Sequence, residues 1–596
     1  MSRKYTKSFE ELKVALRPVS ENWDESQPNK KVLRKDGGVL SWFESTGSLQ
    51  FQGNIVGKAK IEHEVVSILY PEEAPEVAVI PPVEIPKNRV EILIEKRKEI
   101  STEEKYLLAG IESSEIVIGV VSAVGTESKR VIEPLMDRLR RFGYDVEEIR
   151  VSSILPEYKS GQGEFNRIKY LMESGDEIRK SSNNNAILAA GAAKLISESR
   201  SRKRDIPKRA YVINSLKHPD EVAFLRKIYN EGFYLFGIHA DEKRRHQFLT
   251  EDKGCKPVEA DELIKIDEDE RIDHGQKTRD TFHLSDFFLN LGKNGDQVKN
   301  TIQRFLELIF SHPYRNPTFD EFAMFMAFNS SVRSSDLSRQ VGSVIAKNHQ
   351  IIATGANDVP QSGGGLYWAE VDQNSGNVVD HKDGKDYQRE EDSNKRTQVE
   401  IIEEIMASTT NAGLVFPGHI DDFKRILEKS KISDLTEFGR VVHAEMEALL
   451  SCGRAGIPTS GASLYCTTFP CHNCAKHILA AGITRVVYVE PYPKSRALEF
   501  HSESIHLKSQ LDEKHDEKLV AFEPFIGVGP RRFLDLFSMN LGAGSKLKRK
   551  GKDGTIVEWT IEGAIMRTPL LPSSYLDIED AAIRIWDTSN ARGVES

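Results

Sequence analysis

Hydrophobic and polar positions divide the chain into segments of different period. Near the N-terminus, Val39-Leu40-Ser41-Trp42-Phe43 and Ser48-Leu49-Gln50-Phe51-Gln52 flank the turn residues Glu44-Ser45-Thr46-Gly47 and predict a hairpin. A helix-like segment after Lys58 and Lys60 completes a small hairpin-plus-helix module over residues 1–68. Pro71, Pro75, Pro81, Pro82 and Pro86 stand among glutamates, which predicts a stiff, extended, acidic linker. Alternation of Ile and Leu with charges from Arg89 to Leu108 predicts an amphipathic helix, so linker and helix take 69–110. The next segment, 111–315, opens with a buried strand, Glu115 to Val121, a small-residue turn, Ser122 to Thr126, and a helix from Ser128 to Arg141. Buried strands are predicted again at Arg209–Asn214 and Phe233–His239.

From 316 to 540 the pattern changes again. Phe322 to Ser331 is helical, and Val341–Ile345 and Ile351–Asn357 are strands paired through Lys347-Asn348-His349-Gln350. A glycine-rich, charged insertion runs from Gln361 to Arg396, read either as a solvated loop or as a lid carrying Tyr367 and Trp368. A helix with Ile401, Ile402 and Ile405, a helix over Ala444–Cys452, a buried strand over Ala462–Phe469 and core strands at Arg485–Glu490 and Phe522–Phe525 follow. Residues 541–596 form a C-terminal extension whose basic run, Lys546 to Lys552, reads as solvated.

Composition narrows the function classes. A chain of 596 residues is too long for one core. With 39% hydrophobic and 29% charged residues it has the balance of a soluble globular protein. A net charge of −9 provides no global basic field, which argues against a nonspecific nucleic-acid coat. Five cysteines with no evident pairing fit a reducing compartment. The start, Met-Ser-Arg-Lys-Tyr, leads into no signal-peptide core, and no stretch is apolar enough to span a bilayer, so a cytoplasmic location without membrane partners is expected.

The most specific chemistry lies in His443-Ala444-Glu445 and Pro470-Cys471-His472-Asn473-Cys474. One imidazole and two thiolates supply three of the four positions zinc prefers, leaving the fourth for a water that zinc activates. If Pro470 and Cys471 open a helix, the two sulfurs, at i and i+3, share its first turn. Glu445 is two residues from the histidine and is assigned as the acid/base group, not a ligand. The competing reading, a structural zinc knuckle, would need a fourth sulfur or nitrogen at comparable spacing, and none is evident.

A second constellation is the strand, glycine-bearing loop and helix from Glu115 to Arg141, an arrangement that presents backbone N–H groups to phosphate. It resembles the P-loop of nucleotide and nucleoside kinases in degenerate form. Gly125 matches the second glycine of G-x-x-x-x-G-K-[ST], but Val120 takes the first glycine's place, Thr126 the lysine's and Glu127 the hydroxyl's; Lys129 stands one turn later. Ser285-Asp286-Phe287-Phe288-Leu289-Asn290 resembles the last strand of that fold. Gly119, Gly125, Thr126 and Lys129 are the candidate contacts to a nucleotide effector with Mg2+, and loss of the lysine argues against phosphoryl transfer.

The order R-Q-V-G (339–342), I-I-A-T-G-A-N (351–357), H-A-E and P-C-x-x-C resembles the deoxycytidylate deaminase family of the cytidine-deaminase fold. The resemblance implies a zinc-dependent hydrolysis of dCMP or dCTP to the deoxyuridine nucleotide and ammonia. It carries a sugar contact to Asn357 and a substrate contact to Arg339, with Ala356 where the family usually has tyrosine. Ligands gather at the carboxyl ends of strands in such sheets, which nominates Lys494 and Arg496, beyond Arg485–Glu490, as phosphate contacts; plain surface charge is the other reading. The whole arrangement is α/β: a cytidine-deaminase-like α/β/α zinc domain preceded by a P-loop kinase-like parallel α/β domain and a small N-terminal module. This resembles the bacterial antiphage deoxycytidine nucleotide deaminases, which implies dCTP depletion, a homo-oligomer, and a nucleotide or RNA regulator. A polynucleotide deaminase and a nucleotide-sensing switch are the alternatives.

Overall fold

The computed structural model describes residues 4–71, 104 and 114–570, except 21, 54, 160, 162, 203–207, 269–273, 293–294, 416, 436, 493–494, 508–517 and 543–545. The proline-rich linker and the helix expected from Arg89 to Leu108 fall almost wholly outside the described residues, as does the end of the chain beyond 570. Two compact units result, Met1–Gly110 with Tyr575–Ser596, and Ile111–Ser574.

In the first unit, α1 (Phe9–Ala15) precedes β1 (Trp23–Gln27), β2 (Lys30–Lys35), β3 (Gly38–Phe43) and β4 (Ser48–Gly53), and α2 (Ile55–Leu69) follows. The strands form an antiparallel meander in sequence order. The expected hairpin is β3 and β4, in register through Trp42 and Leu49. Leu12, Leu33, Leu40, Trp42, Leu49 and Val65 bury its core. β1 and β2 escape the sequence pattern because their outer faces are almost all charged, Trp-Asp-Glu-Ser-Gln and Lys-Lys-Val-Leu-Arg-Lys.

The second unit contains two six-stranded sheets. The upstream one is built on β5 (Ile116–Ser122), which leads into α3 (Lys129–Arg141), and on β6 (Asp145–Arg150), β7 (Arg209–Asn214) and β8 (Phe233–His239). Helices α4 (Pro257–Glu268) and α5 (Thr278–His283) then precede β9 (Phe287–Asn290). These five strands are parallel in the order β9-β8-β5-β7-β6, so the first strand is central, and all of its side chains are buried. β6 was not expected: it is an edge strand, Asp-Val-Glu-Glu-Ile-Arg, with only Val146 and Ile149 buried.

The downstream sheet begins after α6 (Phe319–Ser331) with β10 (Gly342–Lys347) and β11 (Gln350–Ala356). A two-residue pair, β12 (Glu370–Val371) and β13 (Val378–Val379), decorates the insertion. Next come α7 (Ala444–Ala455), β14 (Ser463–Cys466), α8 (His472–Ala480), β15 (Arg485–Tyr488), β16 (Ile505–Leu507) and β17 (Val520–Pro524). Their order is β11-β10-β14-β15-β17-β16, antiparallel around β10 and parallel from β14 onward. Gly355 in β11 lets α7 approach closely, since any Cβ there would strike the Ala444 carbonyl. That contact fixes the start of α7 over the sheet.

The two sheets share a core. Val121 and Phe288 of the upstream sheet pack in one apolar cluster with Met324 of α6, Val344, Tyr465 and Val487 of the downstream sheet. After β17 the chain returns upstream: β18 (Gly527–Val528) adds antiparallel to β9, and Leu536, Ala564 and Met566 join the core under β5 and β8. The Val528 N–H donates to Glu321 of α6 at 2.8 Å. Upstream and downstream halves are therefore joined by apolar packing and by strand addition as well as by the chain.

Candidate active site

The ends of two helices make the site. His443 is the N-cap residue of α7, in extended backbone, so its ring projects from the helix start. β14 then runs buried to Cys466 and turns into α8, whose N-cap is Cys471. Its sulfur accepts from the Cys474 N–H at 3.4 Å, which places both sulfurs on the first turn, where the helix N-terminus favours thiolates. His443 Nδ1 lies 3.4 Å from each sulfur. On a zinc tetrahedron with bonds of ~2.0–2.3 Å, neighbouring donors are roughly 3.5 Å apart. The donor set thus fits a tetrahedral ion, and among the described residues no other trio of His, Cys, Asp or Glu converges in this way.

The charges are arranged to match. A hydrogen bond from Cys474, then the His443 imidazole, hold the Cys471 thiol down at about 3. The same bond and burial push Cys474 upward, so the pair shares a proton that a divalent cation would displace. Glu445 is 3% exposed and faces a cavity of about 230 Å³ together with His443, Cys471, Thr468 and Phe469. Burial, then the charge on Cys471, raise its carboxyl above the usual range.

Asn357 and Arg339 both line this cavity. The Asn357 side chain accepts from the Val341 N–H at 2.6 Å and donates to the Arg339 carbonyl at 2.9 Å. One amide hydrogen and one lone pair remain for a ligand, and the rest of the group pins the Arg339–Val341 turn to β11. Arg496 stands apart: its guanidinium pairs with Glu499 at 2.7 and 2.9 Å, lies 4.2 Å over the Phe500 ring, and does not line the cavity. Lys494 lies outside the described residues. Sequence reasoning missed Asp386, Asp392 and Asn394, which bring the insertion onto the cavity wall. The Lys385–Asp358 pair, buried at 2.8 Å, and Arg440–Asp386, also 2.8 Å, anchor that segment. Trp368 is exposed and stacks on Arg333 at 3.5 Å, away from the wall.

The phosphate-type loop presents a different picture. Gly119 sits inside β5, walled by Leu216, Phe233 and Leu235. Gly125 adopts φ +81° where a Cβ would lie 2.7 Å from the Arg245 carbonyl oxygen. Thr126 is buried with its hydroxyl unpartnered, and Lys129 opens α3. The Val124 N–H donates 2.8 Å to the Asp267 carboxylate, which also accepts from Lys217 at 2.8 Å, from Thr278 at 3.1 Å and from the Tyr492 hydroxyl. Glu127 pairs with Arg244. An anion of the chain's own thus takes the loop N–H at Val124.

Comparison with known proteins fits this geometry. Residues 317–490 match the model of the cytidine and deoxycytidylate deaminase zinc-binding region. The deoxycytidylate deaminase of Enterobacteria phage T2 is 30% identical over 174 residues, 29% of this chain and 79% of that protein. The deoxycytidylate deaminase of Saccharomyces cerevisiae is 24% identical over 297 residues, 48% of this chain and 78% of that one. ComE operon protein 2 of Bacillus subtilis is 51% identical over 53 residues, 9% of this chain and 28% of its own length. No described helix is long and apolar enough to cross a membrane. With the His443, Cys471 and Cys474 donor set and the Glu445 carboxyl inside the matched region, the chain belongs to the cytidine and deoxycytidylate deaminase family.

Proposed function

We propose that the protein hydrolyses deoxycytidine nucleotides, dCMP or dCTP, to the deoxyuridine nucleotide and ammonia. The observation that carries this reading is a buried carboxyl, Glu445, facing the same cavity as three convergent soft and borderline metal ligands. His443, Cys471 and Cys474 hold zinc, and the ion, when bound, supplies Lewis-acid activation of water near neutral pH. Glu445 moves protons: burial raises its carboxyl, so it takes one proton from the attacking water and gives it to the ring N3, then takes the second from the new C4 hydroxyl as the carbonyl forms and gives it to the departing amine, which leaves as ammonia. Leu337, Val341 and Phe469 give the base an apolar wall, and Asn357 holds Arg339 at the cavity's edge.

In a cell the consequence of dCTP turnover is loss of a DNA precursor, which supports a role in defence against phage. For the upstream half, the strand order with β5 central supports a kinase-like scaffold. Its loop gives no such support for phosphoryl transfer, because the Val124 N–H is bound to Asp267. Product analysis after incubation with dCMP, dCTP and a cytosine-containing oligonucleotide tests the reading. Uracil formed only in the oligonucleotide would replace it with polynucleotide deamination.

A further inference from the structure

Four separate stretches of chain make most of the catalytic cavity's wall: 336–341, Asn357, the insertion from Asp386 to Asn394, and 439–445. One side chain behind that wall is bonded beside all four. Asp358 is fully buried and does not line the cavity. Its carboxylate accepts from the Ser335 hydroxyl at 2.9 Å, from the Val359 N–H at 2.8 Å and from the Lys385 ammonium at 2.8 Å. Its backbone exchanges two hydrogen bonds with Val442, at 3.0 and 3.3 Å. Ser335 stands next to Asp336, Val442 next to His443, Lys385 next to Asp386, and Asp358 itself next to Asn357. Position 358 is therefore a single buried joint between pieces of the site that lie far apart in the chain.

Lys385 comes from the insertion, and it too is buried without lining the cavity. A buried ion pair is a poor device for stability alone, because taking both charges out of water offsets most of their attraction, and apolar side chains of similar volume serve as well or better. What the pair supplies is direction. The Asp358 carboxylate is satisfied only with its donors in place, and an insertion docked anywhere else would leave one buried charge without the other. Arg440 repeats the arrangement one residue on, donating to the Asp386 carboxylate at 2.8 Å from the stretch that leads to His443. Two consecutive insertion residues, 385 and 386, are thus tied to the segments that carry Asn357 and His443.

We infer that Lys385 and Asp358 are positioning residues for the deamination: through Asp358 the insertion sets where Asn357 and His443 stand relative to one another. The insertion is then a fixed wall of the site and not a lid that closes over it. Neither residue lines the cavity, so their effect reaches the substrate only through Asn357, Asp386 and His443, each one position away in the chain. The inference rests on the deaminase reading, and it adds to that reading two residues outside the H-A-E and P-C-x-x-C signature.

The test compares the full chain as wild type, Lys385→Met, and the double variant Asp358→Asn with Lys385→Met, by thermal unfolding, steady-state kinetics with dCMP and dCTP, and the rate of zinc release to a chelator. Lys385→Met strands the Asp358 charge, so it should lower the thermal midpoint and cut kcat/KM by about 10–100-fold, as misplacement of catalytic groups does. The double variant carries no stranded charge and should regain most of the thermal midpoint. Its kcat/KM should stay low and its zinc release fast, because nothing then ties residue 385 to residue 358. Recovery of kcat/KM together with the midpoint would make the pair merely structural and overturn the inference. So would a folded Lys385→Met enzyme with wild-type kcat/KM and zinc release. A wild-type enzyme inert to both nucleotides would instead overturn the deaminase reading, and zinc release would still test the link from Lys385 to His443.

Discussion

Glu445 and Asp267 are both buried carboxyl groups at the mouth of a strand-to-helix turn or helix start, and they have opposite fates. Burial and the Cys471 charge raise Glu445. Burial would raise Asp267 too, but the Lys217 charge and hydrogen bond, with the Tyr492 hydroxyl and the Val124 N–H, outweigh it and hold its carboxyl below the usual range. The first group is left short of donors in a cavity; the second is saturated in a closed network. A carboxylate whose partners are all supplied by the fold is structural, and one kept short of partners is available for proton transfer. The same contrast separates the zinc cavity from the phosphate-type loop.

Exchange of the two groups for their amides tests that division most strongly. Glu445→Gln should cut kcat by about 10²–10⁴-fold, the usual worth of a general acid/base, while zinc content and thermal midpoint hold or improve. A glutamine variant with wild-type turnover would remove Glu445 from the chemistry. Asp267→Asn should do the reverse, leaving the zinc site chemically intact but costing about 3–5 kcal/mol in denaturant unfolding, because Lys217 loses its counter-charge. If the two variants lose stability equally, the contrast is wrong.

Smaller changes sharpen the comparison. Tyr492→Phe removes one donor from Asp267 and should cost ~1 kcal/mol of stability. Because Tyr492 follows β15 in the downstream half, the loss should appear in the unfolding of both halves together, and two separate transitions would argue against a joint core. The smallest effect is on pH. Burial pushes His239 down to about 4, although Asn290 opposes it, so the folded ring stays neutral where the unfolded one binds a proton. Stability is then lost as pH falls from about 6.5 toward 4; between pH 7 and 6 the loss should be under about 1 kcal/mol for this imidazole. Unfolding free energies measured across that range, against a His239→Gln variant, check the slope.

The zinc site is legible because its information is local. Cys471 and Cys474 are one helical turn apart, so spacing places the two sulfurs together, while the expectation that His443 joins them rests on the resemblance of H-A-E and P-C-x-x-C to the deaminase signature. The buried strands β5, β7 and β8 and the β3–β4 hairpin are legible for the same reason, as continuous or alternating apolar runs. Pairings across long stretches of chain are not. Asp267 meets Val124 across 143 residues and Tyr492 across 225, and neither partner has a distinctive neighbourhood in sequence. β18 is a two-residue strand that gains its place from distant parts of the chain, by pairing with β9 and by the Val528 N–H bond to Glu321. The Arg496–Glu499 pair was within reach of sequence reasoning, since residues three apart on a helical turn face one another.

The central claim is best tested by one measurement: metal analysis and nucleotide product analysis on the same purified, folded sample. The account expects stoichiometric zinc and conversion of a deoxycytidine nucleotide to its deoxyuridine counterpart with an equal yield of ammonia. A zinc-loaded, folded sample that leaves both dCMP and dCTP unchanged would contradict it.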